Sequence, residues 1–203
     1  MTLQILGVAF SNFVRSVRMV AEERGVAYEL VPIGPGSKEA RAVHPLGQVP
    51  AMNHDGFELF ESQAIARYID TAFEGPRMTP DDLQAAAVID QWVAFTATTI
   101  DQYLMRRYVV PYAFYKDADG NTDRTLIDMT VPGFGKLFGA LDKAVSGGYL
   151  GSAQFNMADC FLIPILSAAS NFPEARDAIA ASDNLTGYMA RMNERASFTG
   201  TAA

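Results

Sequence analysis

The apolar pattern of this chain changes character once, at Glu74-Gly75-Pro76-Arg77-Met78-Thr79-Pro80, and no other feature limits the fold as strongly. Gly and Pro break regular structure, so this stretch reads as a linker. It sets a domain over 1–74, a connection over 75–81 and a second domain over 82–203. Before the linker, short runs of strand length alternate with helical spacing. Leu3-Gln4-Ile5-Leu6-Gly7-Val8 reads as a strand. Ser11-Asn12 offers helix caps, and Phe13, Val14, Val17, Val20 and Ala21 follow at helical steps until Gly25 stops them. Tyr28-Glu29-Leu30-Val31-Pro32 is a second strand, and Ser37 to Val43 a short helix. Val49-Pro50-Ala51-Met52-Asn53 and Phe57-Glu58-Leu59-Phe60 flank His54-Asp55-Gly56. Asp-Gly between two apolar runs signals a hairpin. Glu61-Ser62 then opens a helix with Ala64, Ile65, Tyr68 and Ile69 on one face. The order β-α-β-α-β-β-α describes one sheet with a right-handed crossover, a hairpin and a packing helix.

After the linker the pattern is helical throughout. Val88, Trp92, Phe95, Thr99 and Tyr103 repeat at three- and four-residue steps, which predicts a long helix from about Asp82 to Arg107. A turn-rich break at 116–121 precedes a second long helix from Thr125 to Val145, bent or delayed by Pro132-Gly133. Asn156-Met157-Ala158-Asp159 resembles a capping box with Asp in place of the usual Glu or Gln, and Phe161, Leu162, Ile165, Leu166 and Ala169 form the stripe behind it. Leu185 to Arg195 is a final helix. The fold class is therefore α/β followed by all-α.

Composition removes several function classes. Of 203 residues 49% are hydrophobic and 19% charged, enough for a sizeable core and too apolar for wholesale disorder. A net charge of −7 argues against nucleic acid as a partner. No apolar run approaches the roughly 20 residues of a membrane span. One Cys excludes an intrachain disulfide and a Cys-rich metal site, so no metal is expected. Met1-Thr2-Leu3-Gln4 lacks the basic start of a signal peptide, and with a single thiol this points to a reducing, cytoplasmic setting.

Four local features of the first domain carry chemistry. Ser11 begins a helix directly after the first strand, where its hydroxyl serves either as an N-cap or as a donor to an anion over the helix N-terminus. Gly47-Gln48-Val49-Pro50 places a proline at a strand start. A cis Val49–Pro50 bond would turn the Val49 N–H and C=O outward, where an extended peptide could pair with them. Glu61-Ser62 stands before a helix and suits either a cap or an α-amino-acid head group: the helix N–H groups and the Ser62 hydroxyl take the carboxylate, and Glu61 faces the ammonium. Lys38, Arg41 and His44 form a basic set that is a solvated face or an anion site. The only histidines are His44 and His54, and the spacing holds no Ser–His–acid triad signature.

Taken in order, these features resemble the cytosolic glutathione S-transferases. The segment 44–51 (His-Pro-Leu-Gly-Gln-Val-Pro-Ala) followed by Glu61-Ser62-Gln63-Ala64-Ile65 is similar to their thioredoxin-like N-terminal domain. Asn156-Met157-Ala158-Asp159 resembles the capping-box helix of their C-terminal domain. Nearly the whole chain is covered, least well over roughly 105–150. The resemblance implies a homodimer that uses glutathione as cosubstrate, without a metal. It places Ser11 at the catalytic serine of serine-type members, because Ser11 to Val17 keeps their six-residue step. Ser16 stands where those members often have Arg, and the Ser-Ser-Cys run of the maleylacetoacetate isomerase type is missing. No Cys or Tyr lies near the first strand, which argues against the cysteine and tyrosine types.

By the same resemblance Val49, in the Gln48-Val49-Pro50 segment, pairs with the cysteinyl part of glutathione. Glu61 and Ser62 take its γ-glutamyl end, and Lys38, with His44 nearby, approaches its glycine carboxylate. A second-substrate pocket between the domains would draw on Phe13, Tyr103, Arg107, Tyr108 and Tyr112, with core packing or solvent exposure as the alternative for each. The implied activity is conjugation of the glutathione thiolate to a small apolar electrophile. Isomerisation, dehalogenation, peroxide reduction and non-catalytic carriage of a hydrophobic ligand share the same scaffold.

Overall fold

The computed structural model describes residues 2–202. They divide into two compact units, one of 2–86 with 193–202 and one of 87–192. The expected helical domain runs through to 203, whereas the segment 193–202 clusters with the first unit.

The first unit is built on a four-stranded sheet. β1 (Leu3–Leu6), β2 (Tyr28–Val31), β3 (Ala51–His54) and β4 (Phe57–Phe60) lie in the order β2-β1-β3-β4. β1 and β2 are parallel, and β3 is antiparallel to both β1 and β4. Helices α1 (Asn12–Glu23), α2 (Lys38–Val43) and α3 (Ser62–Ala72) complete the expected β-α-β-α-β-β-α order. α1 buries Val14, Val17, Val20 and Ala21 completely and packs against α3, which in turn buries Ile65, Ala66 and Ile69. The β3–β4 turn has φ of 51° at Asp55 and 91° at Gly56, the two positive values that a two-residue hairpin turn requires. The Asn53 side chain accepts from the Gly56 N–H at 2.9 Å and closes it.

Two long-range ties hold this unit together. Asp70, fully buried on α3, accepts from the Met78 N–H at 2.8 Å and faces Arg24 and Arg77, each at 3.5 Å. Arg24 donates onward to the carbonyls of Phe73 and Gly75. At the C-terminal side, a short helix α11 (Ala196–Gly200) packs on α1. Arg195 donates twice to Glu23 at 2.9 and 2.6 Å, Arg15 donates to the Phe198 carbonyl at 2.8 Å, and Arg18 donates to the Thr201 carbonyl at 3.1 Å. The Arg15 guanidinium also lies 4.0 Å from the centre of the Phe198 ring.

The helices that follow are α4 (Leu83–Phe95), a continuous segment Thr96–Val109 wound with the wider i→i+5 bonding, and α5 (Val110–Phe114). After them come α6 (Thr125–Thr130), α7 (Phe134–Ala144), α8 (Met157–Ala169), α9 (Pro173–Ala180) and α10 (Asp183–Asn193). The expected helix over Thr125–Val145 is thus interrupted by one tight turn at Val131–Gly133, where Pro132 lacks the donor for a regular ladder. α9 and α11 occupy stretches where sequence analysis places no helix. The buried face of the long helix is also displaced. Ile89, Val93, Thr96, Ile100, Leu104 and Tyr108 face inward, whereas Val88 and Tyr103, from the expected stripe, are exposed. Both series have helical spacing, and periodicity alone does not choose between them. α8 packs along the Thr96–Val109 segment and is nearly enclosed. Its capping box forms as the sequence indicates: Asn156 accepts from the Ala158 N–H at 2.9 Å, and the Asp159 carboxylate accepts from the N–H groups of Asn156 (2.9 Å) and Leu150 (2.8 Å). No helix among the described residues is long and apolar enough to cross a membrane.

Candidate functional site

Residues singled out in the first domain collect around the ends of β1, α2 and β4. β1 ends at Leu6, and the next residue, Gly7, donates its N–H to the Val31 carbonyl at 2.9 Å. A Cβ built there would lie 2.4 Å from Val14 Cγ2 and 3.3 Å from Val49 Cβ, so only glycine lets the turn into α1 pass between the two valines. This close approach sets the β1–α1 turn beside the Val49 segment. The Val49–Pro50 peptide bond is cis. Val49 is half-buried, Pro50 is buried and Gln48 is exposed.

Ser11 is the N-cap residue of α1, with extended backbone (φ −68°, ψ 125°). Its carbonyl accepts from the Arg15 N–H at 2.9 Å, but its hydroxyl makes no capping bond. Ser37, by contrast, caps α2 by accepting from the Ala40 N–H at 3.0 Å. The Ser11 side chain therefore does not realise the cap alternative. A half-buried hydroxyl at the positive end of a helix dipole remains, one turn from Arg15. The Arg15 pKa is lowered by burial and then by repulsion from Arg18.

The α2 end and the Val49 loop are joined. The Gly36 N–H donates to the Gly47 carbonyl at 2.7 Å, which brings the start of α2 and exposed Lys38 beside the Gly47-Gln48 segment. His44, which the resemblance places near the glycine carboxylate, is enclosed. Its side chain is only 6% exposed, with its ring edge-on to Phe60 at 4.9 Å between centroids. Its Nδ1 accepts from the Leu46 N–H at 3.0 Å, and its Nε2 faces the Glu61 carboxylate at 3.8 Å.

Glu61 and Ser62 begin α3. Glu61 has φ 70° and ψ 113°, conformational strain of about 1–3 kcal/mol that non-glycine residues carry most often at functional sites. Its side chain is 63% exposed and makes no capping bond. Ser62 is the first residue of α3 and is buried.

Residues expected to line a second-substrate pocket divide. Phe13 on α1 is half-buried. Tyr103 is exposed, and the Arg107 guanidinium lies 6.0 Å from its ring centre. Tyr108 is fully buried in the core: its hydroxyl donates to Glu174 at 2.9 Å and accepts from the Ala175 N–H at 3.0 Å. Enclosure leaves Tyr108 nothing to offer a pocket. Burial raises its pKa, and the Glu174 contact raises it further. Tyr112 stacks on Phe172 at 4.4 Å and donates to the same carboxylate, which also takes a 2.6 Å bond from Arg124. Burial pushes the Glu174 carboxyl up, but bonds from Arg124 and Tyr112 outweigh it and hold it at about 2. Sequence reasoning missed this cluster, and its only local trace is Pro173-Glu174 at a helix start.

A four-stranded mixed sheet with helices, thioredoxin-like, followed by a helical unit matches the fold of glutathione S-transferase structures. Residues 6–77 match the family model described as the N-terminal domain of glutathione S-transferases. The chain is 24% identical to glutathione S-transferase F12 of Arabidopsis thaliana, over 98% of this chain and 96% of that protein. Its fold matches that of poplar glutathione transferase F1 with a TM-score of 0.88 at 24% identity, covering 99% and 96% of the two chains. It matches glutathione S-transferase-I, whose structure holds lactoylglutathione, with a TM-score of 0.86 at 24% identity over 98% of both chains. Multiple relatives and structural neighbours of this chain are thus glutathione S-transferases, and its residues 6–77 resemble the N-terminal domain of that family.

Proposed function

We propose that this protein binds glutathione along the Val49–Pro50 segment, ionises its thiol with the Ser11 hydroxyl, and transfers the thiolate to a small apolar electrophile. One observation carries the reading: the Ser11 hydroxyl stands at the N-terminus of α1 and is not spent on capping it. A free thiol of pKa about 8.5 is only about 3% ionised at pH 7. A hydrogen bond to a charged group contributes about 1.5–3 kcal/mol, which lowers the thiol pKa by roughly one to two units. The dipole of α1 acts in the same direction. Ser11 donates one hydrogen bond to the sulfur and forms no covalent intermediate.

The remaining contacts follow from the ends of the peptide. The Val49 N–H and C=O pair with the cysteinyl backbone, beside Gln48 and Pro50. The α3 N-terminus and Ser62 take the γ-glutamyl carboxylate, and Glu61 faces its ammonium. Lys38 approaches the glycine carboxylate. Support comes from the strained Glu61 turn, the adjacency of the α2 start to Gly47, and a relative structure that holds a glutathione derivative. Among the side chains considered for the electrophile, Phe13, Tyr103, Arg107 and Tyr112 keep that role in this proposal. The aromatic and cationic pair Tyr103–Arg107 favours an aromatic or anionic electrophile. Two copies associate in this reading, with half-exposed Phe57 available at the sheet edge.

Retention on immobilised glutathione, followed by turnover of a generic aryl halide, tests the proposal. Retention with turnover is the expected result. Binding without turnover would replace the enzyme with a carrier, and failure to bind would remove the glutathione reading altogether.

A further inference from the structure

One ion pair in the helical unit depends on how its helix is wound. Arg106 Nε donates to Asp101 Oδ2 at 2.8 Å, across five positions of the same helix. In an α-helix the side chains that meet are three and four positions apart, and residues five apart stand about 140° from one another. Thr96–Val109 is wound instead with i→i+5 bonding, and at its end the Val110 N–H donates to the Met105 carbonyl, again five positions back. Such winding is rare beyond a single turn and is frequent at functional sites. The Asp101 side chain is only 4% exposed, whereas that of Arg106 is half-exposed.

The winding also decides which aromatic side chain faces out. At 3.6 residues per turn Tyr103 would stand about 20° from buried Thr96, and Tyr108 about 120° from it. The observed arrangement is the reverse. Thr96, Ile100, Leu104 and Tyr108 recur at four-residue steps on the enclosed face, and Tyr103 lies outside with the Arg107 guanidinium 6.0 Å from its ring centre.

We propose that Arg106 is a positioning residue for the choice of electrophile: paired with Asp101 across five positions, it holds Thr96–Val109 in the wide winding that turns Tyr103 and Arg107 outward as one recognition surface. The inference rests on the reading above that gives Tyr103 and Arg107 to the electrophile. An ion pair that only one of two windings can form shifts the balance toward that winding. Arg106 touches no electrophile in this arrangement, because its guanidinium is bonded to the Asp101 carboxylate. The class of substrate favoured is an aromatic electrophile that carries an anionic group, stacked on Tyr103 and paired with Arg107.

Two measurements on the full chain test this. Tyrosine nitration, mapped by mass spectrometry, reads the winding, and the ratio of kcat/KM values for a carboxylated aryl halide and a neutral alkyl halide reads the selectivity. In wild type Tyr103 should be nitrated and Tyr108 protected. Arg106→Met should reverse that order while Tyr188, buried elsewhere in the unit, stays protected. The same variant should lower the aryl-over-alkyl ratio about tenfold, the worth of one charge-assisted bond, and leave alkyl turnover within about twofold. Arg106→Lys, which keeps a cation beside Asp101, should restore most of both. Wild-type nitration and selectivity in Arg106→Met overturn the proposal, and so does a loss that Arg106→Lys leaves unrepaired. Nitration of Tyr188 in Arg106→Met would mean that the stranded Asp101 carboxylate had opened the unit. The double variant Asp101→Asn/Arg106→Met then removes that charge together with the pair, and the same two outcomes decide. Failure of the parent reading is distinct: wild type would turn over neither halide, and the nitration order would still support or overturn the hold of Arg106 on the winding.

Discussion

Replacing Ser11 by Ala separates chemistry from folding in a way the same change elsewhere does not. The hydroxyl makes no capping bond, and the first helical bond of α1 uses the Ser11 carbonyl, which the substitution keeps. Loss of stability should therefore fall at or below about 0.5 kcal/mol, the low end for N-cap substitutions. The matched control is Ser37→Ala, which removes a real cap bond of 3.0 Å and should cost about 1 kcal/mol. Bound glutathione responds in the opposite sense. Removing a charge-directed bond of about 1.5–3 kcal/mol raises its thiol pKa by roughly one to two units. Turnover at pH 7 drops about tenfold or more and recovers as the pH is raised. Near-ultraviolet thiolate absorbance of the bound peptide, titrated against pH in both chains, reads the shift directly. An unchanged titration in Ser11→Ala would refute the argument, and so would a stability loss as large as that of Ser37→Ala, since the hydroxyl would then be spent on the helix.

Four further outcomes follow from the packing. Asp159→Ala leaves the buried N–H groups of Leu150 and Asn156 without their acceptor, so thermal unfolding should show a loss of about 3 kcal/mol or more, roughly 10 °C in Tm. Gly7→Ala drives a methyl to 2.4 Å from Val14 Cγ2; denaturant unfolding should register about 1–3 kcal/mol, with weakened glutathione binding because Val49 is displaced as well. Arg24→Met removes one of the two guanidinium groups facing the buried Asp70 carboxylate, leaving Arg77 and the Met78 N–H, and the expected destabilisation is about 1.5–3 kcal/mol by urea titration. The folded-state pKa of Glu174, about 2, lies below its ordinary 4.5, so its bonds stabilise the fold above pH 4.5 and are lost as pH falls from there toward 2. Solvent reaches this carboxylate, which reduces the contribution to about 1–2 kcal/mol. Acid unfolding of Glu174→Gln should be flatter over that interval, and an unaltered acid limb would count against the network.

The sheet unit was legible because its signals are local. Asp55-Gly56 needs two positive φ values, Pro32 and Pro50 end or open strands, and β1 and α1 are told apart by residues a few positions from one another. The capping box was legible for the same reason: Asn156 and Asp159 are three residues apart, and the spacing itself is the structure. The core face of the long helix was not legible. Val88-Trp92-Phe95 and Ile89-Val93-Thr96 repeat with one period, and what selects the second is α8 lying against it. Nor was the clasp of Arg15, Arg18 and Glu23 by residues 195–201, because its partners are more than 170 positions away.

What the chain dictates through neighbours is its element order, its turns, its caps and the candidate residues Ser11, Val49, Glu61 and Ser62. Burial and orientation depend on contacts between distant segments, and only the folded chain assigns them. It put Tyr108 inside rather than on a pocket wall, left the Ser11 hydroxyl uncommitted, and turned His44 inward onto Glu61. In each case the residue type permitted both outcomes, and the decision came from which side chains arrived from elsewhere to exclude water or to accept a bond.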